Sequence, residues 1–349
     1  MNLAGPGSSE SQMLLEAKEA PASVARLIAA NADICRELGA RLRKARPAFV
    51  VSSARGSSDN AASFAKYLLE IRLGMVTASV GPSVRSIYSA DLQLKGALFL
   101  TISQSGRSPD ILRLAEVARA GGAVTVALVN DASSPLAQIC ETVLPLNAWP
   151  ERSVAATKSV ICSLAAVLQL VAHWADDPEL LTALERLPED LERAAATDWS
   201  SATGLLQQAR SLFVTGRGIG LAAALEAALK LKEICGIHAE ALSAAELKHG
   251  PMTLAGADFP VMVMAQRDEA LQSIADLVSI LRERDVPVAV AGPAEVDCEI
   301  ALASDPTLSP FTTPIALLQS FYPLVEKVAW ARGRDPDAPP HLKKVTETV

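Results

Sequence analysis

"AFVVSSARGSSDNAASFAKYLLE" at residues 48–70 and "SLFVTGRGIGLAAALEAALKLKE" at residues 211–233 repeat one pattern. Each is a short β-branched and aromatic run, an Arg-Gly turn, an Ala-rich stretch with helical period and a closing Glu. Two such copies predict an internal duplication. A buried strand that turns tightly into a helix predicts the first unit of a parallel α/β sheet in each copy. "GMVTASV" (74–80), "GALFLTIS" (96–103) and "AVTVALVN" (123–130) supply further strands after the first copy. "PVMVMAQ" (260–266) and "VPVAVAG" (286–292) do so after the second. Helical stretches such as 108–122 and 268–285 separate them, so both faces of each sheet should be covered. The charged, Pro-containing stretch 183–201 marks the boundary. The expected organisation is a helical segment over 1–46 packing on the first domain, domains over 47–190 and 200–334, and a C-terminal tail over 335–349.

Composition narrows the class. Half of the 349 residues are apolar, 4% are aromatic and 20% are charged, as in a globular protein with a large core. A formal charge of −7 with no long Lys/Arg block argues against a nucleic-acid partner, because neutralising phosphates needs a basic footprint. The five cysteines show no CxxC pair and no framework spacing, which fits reduced core residues in a cytoplasmic protein. The opening "MNLAGPGSSE" lacks the regions of a signal peptide. "SVICSLAAVLQLVAHWA" (159–175) contains Ser, Gln and His and is short for a span, so a buried helix and no membrane segment are expected.

Three stretches carry chemistry. "SQSGRSPD" (103–110) follows a strand and opens a helix, where unpaired backbone N–H groups face the carboxyl edge of a parallel sheet. Gly106 lets the backbone approach closely, and Ser103, Gln104, Ser105 and Ser108 add short donors, so the turn reads as a phosphate cup without a Walker lysine. A Ser that merely caps the helix is the plain alternative. "ARGSSDN" (54–60) offers the same geometry with Ser57 and Ser58. In "ALEAALKLKE" (224–233), Glu226, Lys230 and Glu233 fall at i, i+4 and i+7 on one helix face, either as an acid–base set or as a solvated salt-bridge stripe. His249 in "ELKHGP" is suited either to proton exchange near neutral pH or to satisfying helix carbonyls. His173 reads as a packed core residue, and His238 with Glu240 is too sparse for a metal site. The prolines of "GRDPDAPPHLKKVTETV" exclude a regular helix, leaving a loose terminus or a flap that delivers Lys343 and Lys344.

"SQSG.S", "GRG...A.E.ALKLKE...IHAEA..AELKHGP" and the final "P..L.K.VT" closely resemble the tandem sugar isomerase (SIS) domain family, in particular the isomerase half of glucosamine-6-phosphate synthase. The resemblance runs over nearly the whole chain after the first ten residues. It implies an α/β fold of two tandem SIS domains, each a three-layer α/β/α sandwich of flavodoxin-like topology. It implies that Ser57, Ser58, Ser103, Gln104, Ser105 and Ser108 bind the sugar phosphate and that Glu233 is the isomerisation base. It gives Lys230 the role of holding the open-chain sugar and Lys344 that of the tail lysine at the sugar carbonyl. His249 would open the ring from the other subunit of a homodimer, and no metal or cofactor is implied. Arg107 replaces an acidic residue of the synthase cup, Arg55 stands where the synthase has cysteine, and Lys343 stands where a small residue is usual.

The chain shows residue 2 as Asn and no glutaminase ahead of the sugar half, so the resemblance implies the ammonia-releasing direction. The expected activity is an amino-sugar-phosphate deaminase converting glucosamine 6-phosphate to fructose 6-phosphate and ammonia. Alternatives are a fructosamine-phosphate deglycase, a galactosamine-6-phosphate deaminase and, in another class, a non-catalytic sugar-phosphate sensor.

Overall fold

The computed structural model describes residues 10–344; 1–9 of the expected N-terminal segment and 345–349 of the expected tail lie outside the described residues. These divide into a first unit, 20–150 with 158–190, and a second unit, 10–19 with 151–157 and 191–344. Helix α1 (Gln12–Lys18) belongs to the second unit and α2 (Ala20–Ala45) to the first, so the N-terminal helical segment, expected as one piece, is shared. Pro21 causes the break, since it is tolerated in the first turn of α2 but could not continue α1. On the second unit α1 is held at its start: Ser11 N–H donates to Glu326 at 2.7 Å, and the N–H groups of Gln12 and Met13 donate to Asp337 at 2.7 and 2.8 Å.

The first unit continues with β1 (Val50–Ser53), α3 (Ser57–Leu73), β2 (Thr77–Ser79), α4 (Ser83–Ser86), β3 (Leu98–Ser103) and α5 (Pro109–Ala120). Then come β4 (Val124–Val129), α6 (Pro135–Ile139), β5 (Thr142–Pro145) and α7 (Lys158–Ala175). The chain passes into the second unit inside α8 (Pro178–Ala195). There it forms α9 (Thr203–Gln208), β6 (Ser211–Gly216), α10 (Gly220–Glu233), β7 (His238–Ser243), α11 (Ala244–Lys248) and β8 (Val261–Met264). The last elements are α12 (Leu271–Arg282), β9 (Val288–Gly292), β10 (Ile300–Ala303) and α13 (Thr313–Ala331).

Among the described residues the sheets are ordered β2-β1-β3-β4-β5 and β10-β9-β8-β6-β7, every pairing parallel. Counted within its own unit, each has the order 2-1-3-4-5, the flavodoxin-like arrangement, so the duplicated sequence folds into a duplicated topology. Successive strand residues serve opposite faces. Val51, Phe99 and Val129 pack with Ile111 and Leu114 of α5, while the alternate residues Val50, Leu98 and Val126 are equally buried toward the other side. The second sheet repeats this, with Phe213, Val263 and Val290 against Ile274, Leu277 and Leu281 of α12. Burial on both faces is why these central strands read as unbroken apolar runs. Three edge strands, β5, β7 and β10, escape that reading because they are partly exposed; in β7 His238 and Glu240 face solvent.

Helix α7 is the described helix long and apolar enough to cross a membrane, and 89% of it is buried inside the protein, against α2 and α3. Gly39 of α2 lets the two helices close up, since a Cβ there would lie 2.5 Å from the His173 carbonyl oxygen.

None of the five cysteines is in a disulfide, and four are buried. Burial pushes the thiols of Cys35, Cys140 and Cys235 up to about 12, and that of half-buried Cys298 upward as well. At pH 8 a thiol at 12 is thiolate in roughly one molecule in ten thousand, so it should be inert. A thiol reagent should modify Cys298 first and the remainder only after denaturation. Prompt titration of two or more thiols in the native protein would contradict the packing.

Candidate active site

In the second unit, β6 passes into α10 through a turn with no room for a side chain at Gly216 or Gly220. A Cβ on Gly216 would sit 2.5 Å from the Gly220 carbonyl oxygen, and one on Gly220 would collide with the Gln266 side chain. The alanines of α10 then let it lie close on β6, β7 and α13. Its charged face is not a solvated stripe. Lys230 is fully buried, its Nζ 3.0 Å from Glu226 Oε1 and 2.7 Å from Glu233 Oε2. Glu226 is also buried, whereas the Glu233 side chain is 23% exposed, so Glu233 is the acid of the set that reaches solvent.

Burial works against the Lys230 charge, but Glu226 and then Glu233 outweigh it and hold the ammonium above its ordinary range. Tyr322 of α13 is buried beside this set, its hydroxyl 3.4 Å from the Thr157 carbonyl oxygen to which it donates. Burial, followed by the charges of Glu226, Glu151 and Glu233, pushes the phenol well above its ordinary value, so it remains a proton donor.

As far as Lys344 the tail is docked, not loose. Lys344 Nζ donates to Glu151 Oε2 at 3.0 Å and to the Ser153 carbonyl oxygen at 2.7 Å, while Lys343 is exposed. The charges of Glu226, Glu151 and Glu233 all act on the Tyr322 phenol, and Glu151 also carries the tail lysine. His249 follows α11 and is exposed; its backbone N–H donates to the Glu246 carbonyl at 2.9 Å, and its imidazole makes no hydrogen bond or ion pair among the described residues. The structure therefore joins Lys230 to Glu233 and seats Lys344 on Glu151, and it brings His249 of the same chain into neither contact.

The cup lies in the first unit. Ser103 ends the buried strand β3, and its Oγ accepts from Gly106 N–H at 3.1 Å, with Gly106 at φ +62°. Ser105 Oγ accepts from Arg107 N–H at 3.4 Å, and the Gln104 carbonyl accepts from Asn130 N–H at 3.3 Å. Ser108 precedes α5, yet its hydroxyl does not cap the helix; Asp110 Oδ1 instead accepts from Ile111 N–H at 2.8 Å. The plain capping role is thus filled by another residue. Ser57 and Ser58 begin α3 after Gly56, and β1 lies beside β3 in register Ser53↔Thr101, so both turns leave neighbouring strand ends.

Arg55 ties the turns together, donating from Nε and Nη2 to the buried Asp110 at 3.1 and 2.8 Å. The second unexpected arginine, Arg107, pairs with Asp131 at 2.9 Å. The two arginine departures from the synthase pattern are thus neutralised by local carboxylates.

Sequence reasoning missed Glu151 and Tyr322. Tyr322 is the one hydroxyl-bearing aromatic in an apolar helix, which is a usable signal. Glu151 stands in an irregular stretch with no periodicity to mark it.

A family model described as SIS domain matches residues 41–173 and 205–320, one stretch in each copy of the repeat. The chain belongs to the SIS domain family. This SIS protein is 35% identical over 298 residues to the glutamine–fructose-6-phosphate aminotransferase [isomerizing] of Methanothermobacter thermautotrophicus, covering 83% of this chain and 50% of that one. It spans about half the length of the aminotransferases it matches. A crystal structure from Silicibacter pomeroyi, provisionally named a phosphosugar isomerase, matches with TM-score 0.89 at 41% identity, covering 94% of this chain and 100% of the other. The glucosamine-6-phosphate deaminase of Thermotoga maritima shares the fold, with TM-score 0.75 at 20% identity over 97% of this chain and 100% of that one.

Removing Lys230 takes the ammonium away from two carboxylates, one buried and one partly exposed. Lys230→Met should cost about 3 to 5 kcal/mol in denaturant unfolding, against less than about 1 kcal/mol for a solvated stripe. Gly106→Ala forces a positive φ on a residue with a Cβ and places that Cβ 2.6 Å from Ser134 Cβ. It should lower stability by about 1 to 3 kcal/mol and weaken sugar-phosphate binding measured by calorimetry.

Proposed function

We propose that this SIS protein is an amino-sugar-phosphate deaminase/isomerase that converts glucosamine 6-phosphate and water to fructose 6-phosphate and ammonia. One observation carries the proposal: a fully buried lysine pins a carboxylate, Glu233, that still reaches solvent. Moving a proton between adjacent carbons needs a single carboxylate within reach of both, fixed in orientation, and Lys230 fixes this one. Glu233 takes the proton from C2 of the open-chain aldose and returns it to C1, turning the C2 amine into an imine. Water adds to the imine carbon and ammonia departs, leaving the ketose. Lys344 hydrogen-bonds the C1 carbonyl oxygen and steadies the charge that collects there. The dianion is held by Ser57, Ser58, Ser103, Gln104, Ser105 and Ser108, whose remote binding energy orients the reacting end.

Ring opening is assigned to His249 from a second copy of the chain, a role supported by its exposure on its own chain. Of the directions open to an amino-sugar isomerase, ammonia release needs only water as co-substrate and so only the groups described above. The names of the related proteins, aminotransferase, phosphosugar isomerase and deaminase, are compatible with that chemistry.

A coupled ammonia assay over glucosamine 6-phosphate, galactosamine 6-phosphate and fructosamine phosphates tests it. Glucosamine 6-phosphate should give the highest kcat/KM, and Glu233→Gln should lower kcat by 10² or more with KM changed less than about threefold. Binding of these phosphates without turnover would instead make the protein a sensor. Full activity in Glu233→Gln would remove Glu233 from the chemistry.

A further inference from the structure

Glu151 is buried completely, and both of its oxygens are engaged: Oε1 accepts from Thr157 N–H at 3.0 Å and Oε2 from Lys344 Nζ at 3.0 Å. The Thr157 carbonyl in turn accepts from Tyr322, which anchors that end of the 151–157 segment to α13. The other end is held by buried Glu16 of α1, whose carboxylate accepts from the N–H groups of Arg152 and Ser153 at 2.6 and 3.1 Å. Lys344 takes both its acceptors from this braced segment, Glu151 and the Ser153 carbonyl. The tail is braced separately, because Asp337 holds the start of the same helix α1. A closed circuit runs from Asp337 through α1 and Glu16 to the segment, and back through Glu151 to Lys344.

We propose that Glu151 is a positioning residue that seats the Lys344 ammonium for its work on the sugar carbonyl, an inference that rests on the role given to Lys344 above. An ammonium has three donors. Two are taken by Glu151 and Ser153, which fixes the direction of the third. A lysine side chain carries about 2 kcal/mol of rotamer entropy, and a tail lysine without such a seat would have to lose it in each turnover. A buried carboxylate is the group to hold it, since that carboxylate is itself costly without a counter-cation. Replacing it with an amide keeps the shape and an acceptor for Thr157 N–H while deleting the charge that draws in the lysine.

The test has an arm that needs no substrate. Amidination of the ligand-free protein, read by mass spectrometry, should find Lys344 protected relative to Lys343 in the wild type and labelled at least fivefold faster in Glu151→Gln. With the preferred sugar phosphate, Glu151→Gln should lose tenfold or more in kcat with KM within threefold, and the double variant Glu151→Gln/Lys344→Ala should be no slower than Lys344→Ala alone. Glu151→Asp, which keeps the buried charge but shortens its reach, serves where the amide variant folds poorly; it should also raise Lys344 labelling and lower kcat at least threefold. Unchanged labelling and kcat in both variants, or losses that multiply in the double variant, would overturn the positioning role. Absence of turnover in the wild type together with Glu151-dependent protection of Lys344 would instead count against the deaminase and leave the seat intact.

Discussion

Burying Lys230 between Glu226 and Glu233 is the constraint around which the second unit is arranged. Taking Lys230 and Glu226 out of water costs several kcal/mol for each ion, so the set persists only where geometry satisfies both. That requirement explains the neighbours: alanines bring α10 onto its sheet, two glycines remove side chains from the turn before it, and a buried phenol rather than a further charge closes the space from α13. What such an expensive arrangement provides is direction. Glu233 stands at the end of the set, partly exposed, and its lysine partner leaves it little freedom to turn.

The two copies of the repeat share one strand order but differ in where their charged and polar groups stand. In the first copy, Arg55 in the turn before α3 is tied to Asp110, whereas in the second the buried ion pairs lie along the C-terminal half of α10. The closing Glu of each copy shows the divergence most plainly. Glu70 accepts from Thr77 N–H at 3.2 Å and helps to hold β2, whereas Glu233 is bound to a buried lysine. The two arginines of the first unit's strand-end turns, Arg55 and Arg107, are matched by Asp110 and Asp131.

Periodicity and composition were enough for the duplicated parallel α/β scaffold, because strands buried on both faces must be apolar throughout and helices between them must carry a 3.6-residue stripe. The turns that end those strands were equally legible, since only small residues and glycine permit a close approach of backbone at a strand's carboxyl edge. Edge strands β5, β7 and β10 were hidden by their partial exposure, and the sharing of the N-terminal helices between the units depends on Glu326 and Asp337, more than 300 residues from α1 along the chain.

Tertiary structure alone decided what the charged residues are for. The spacing of Glu226, Lys230 and Glu233 is the same whether their face meets water or a core, and only the packing of the folded unit makes it the latter. Ser108 reads as a helix cap until Asp110 is found doing that work, and Glu151 has no local signature because its partners are Thr157 nearby and Lys344 at the far end of the chain. Local sequence records which groups a segment can offer; whether a charge is buried, and against what, is set by segments that meet only on folding.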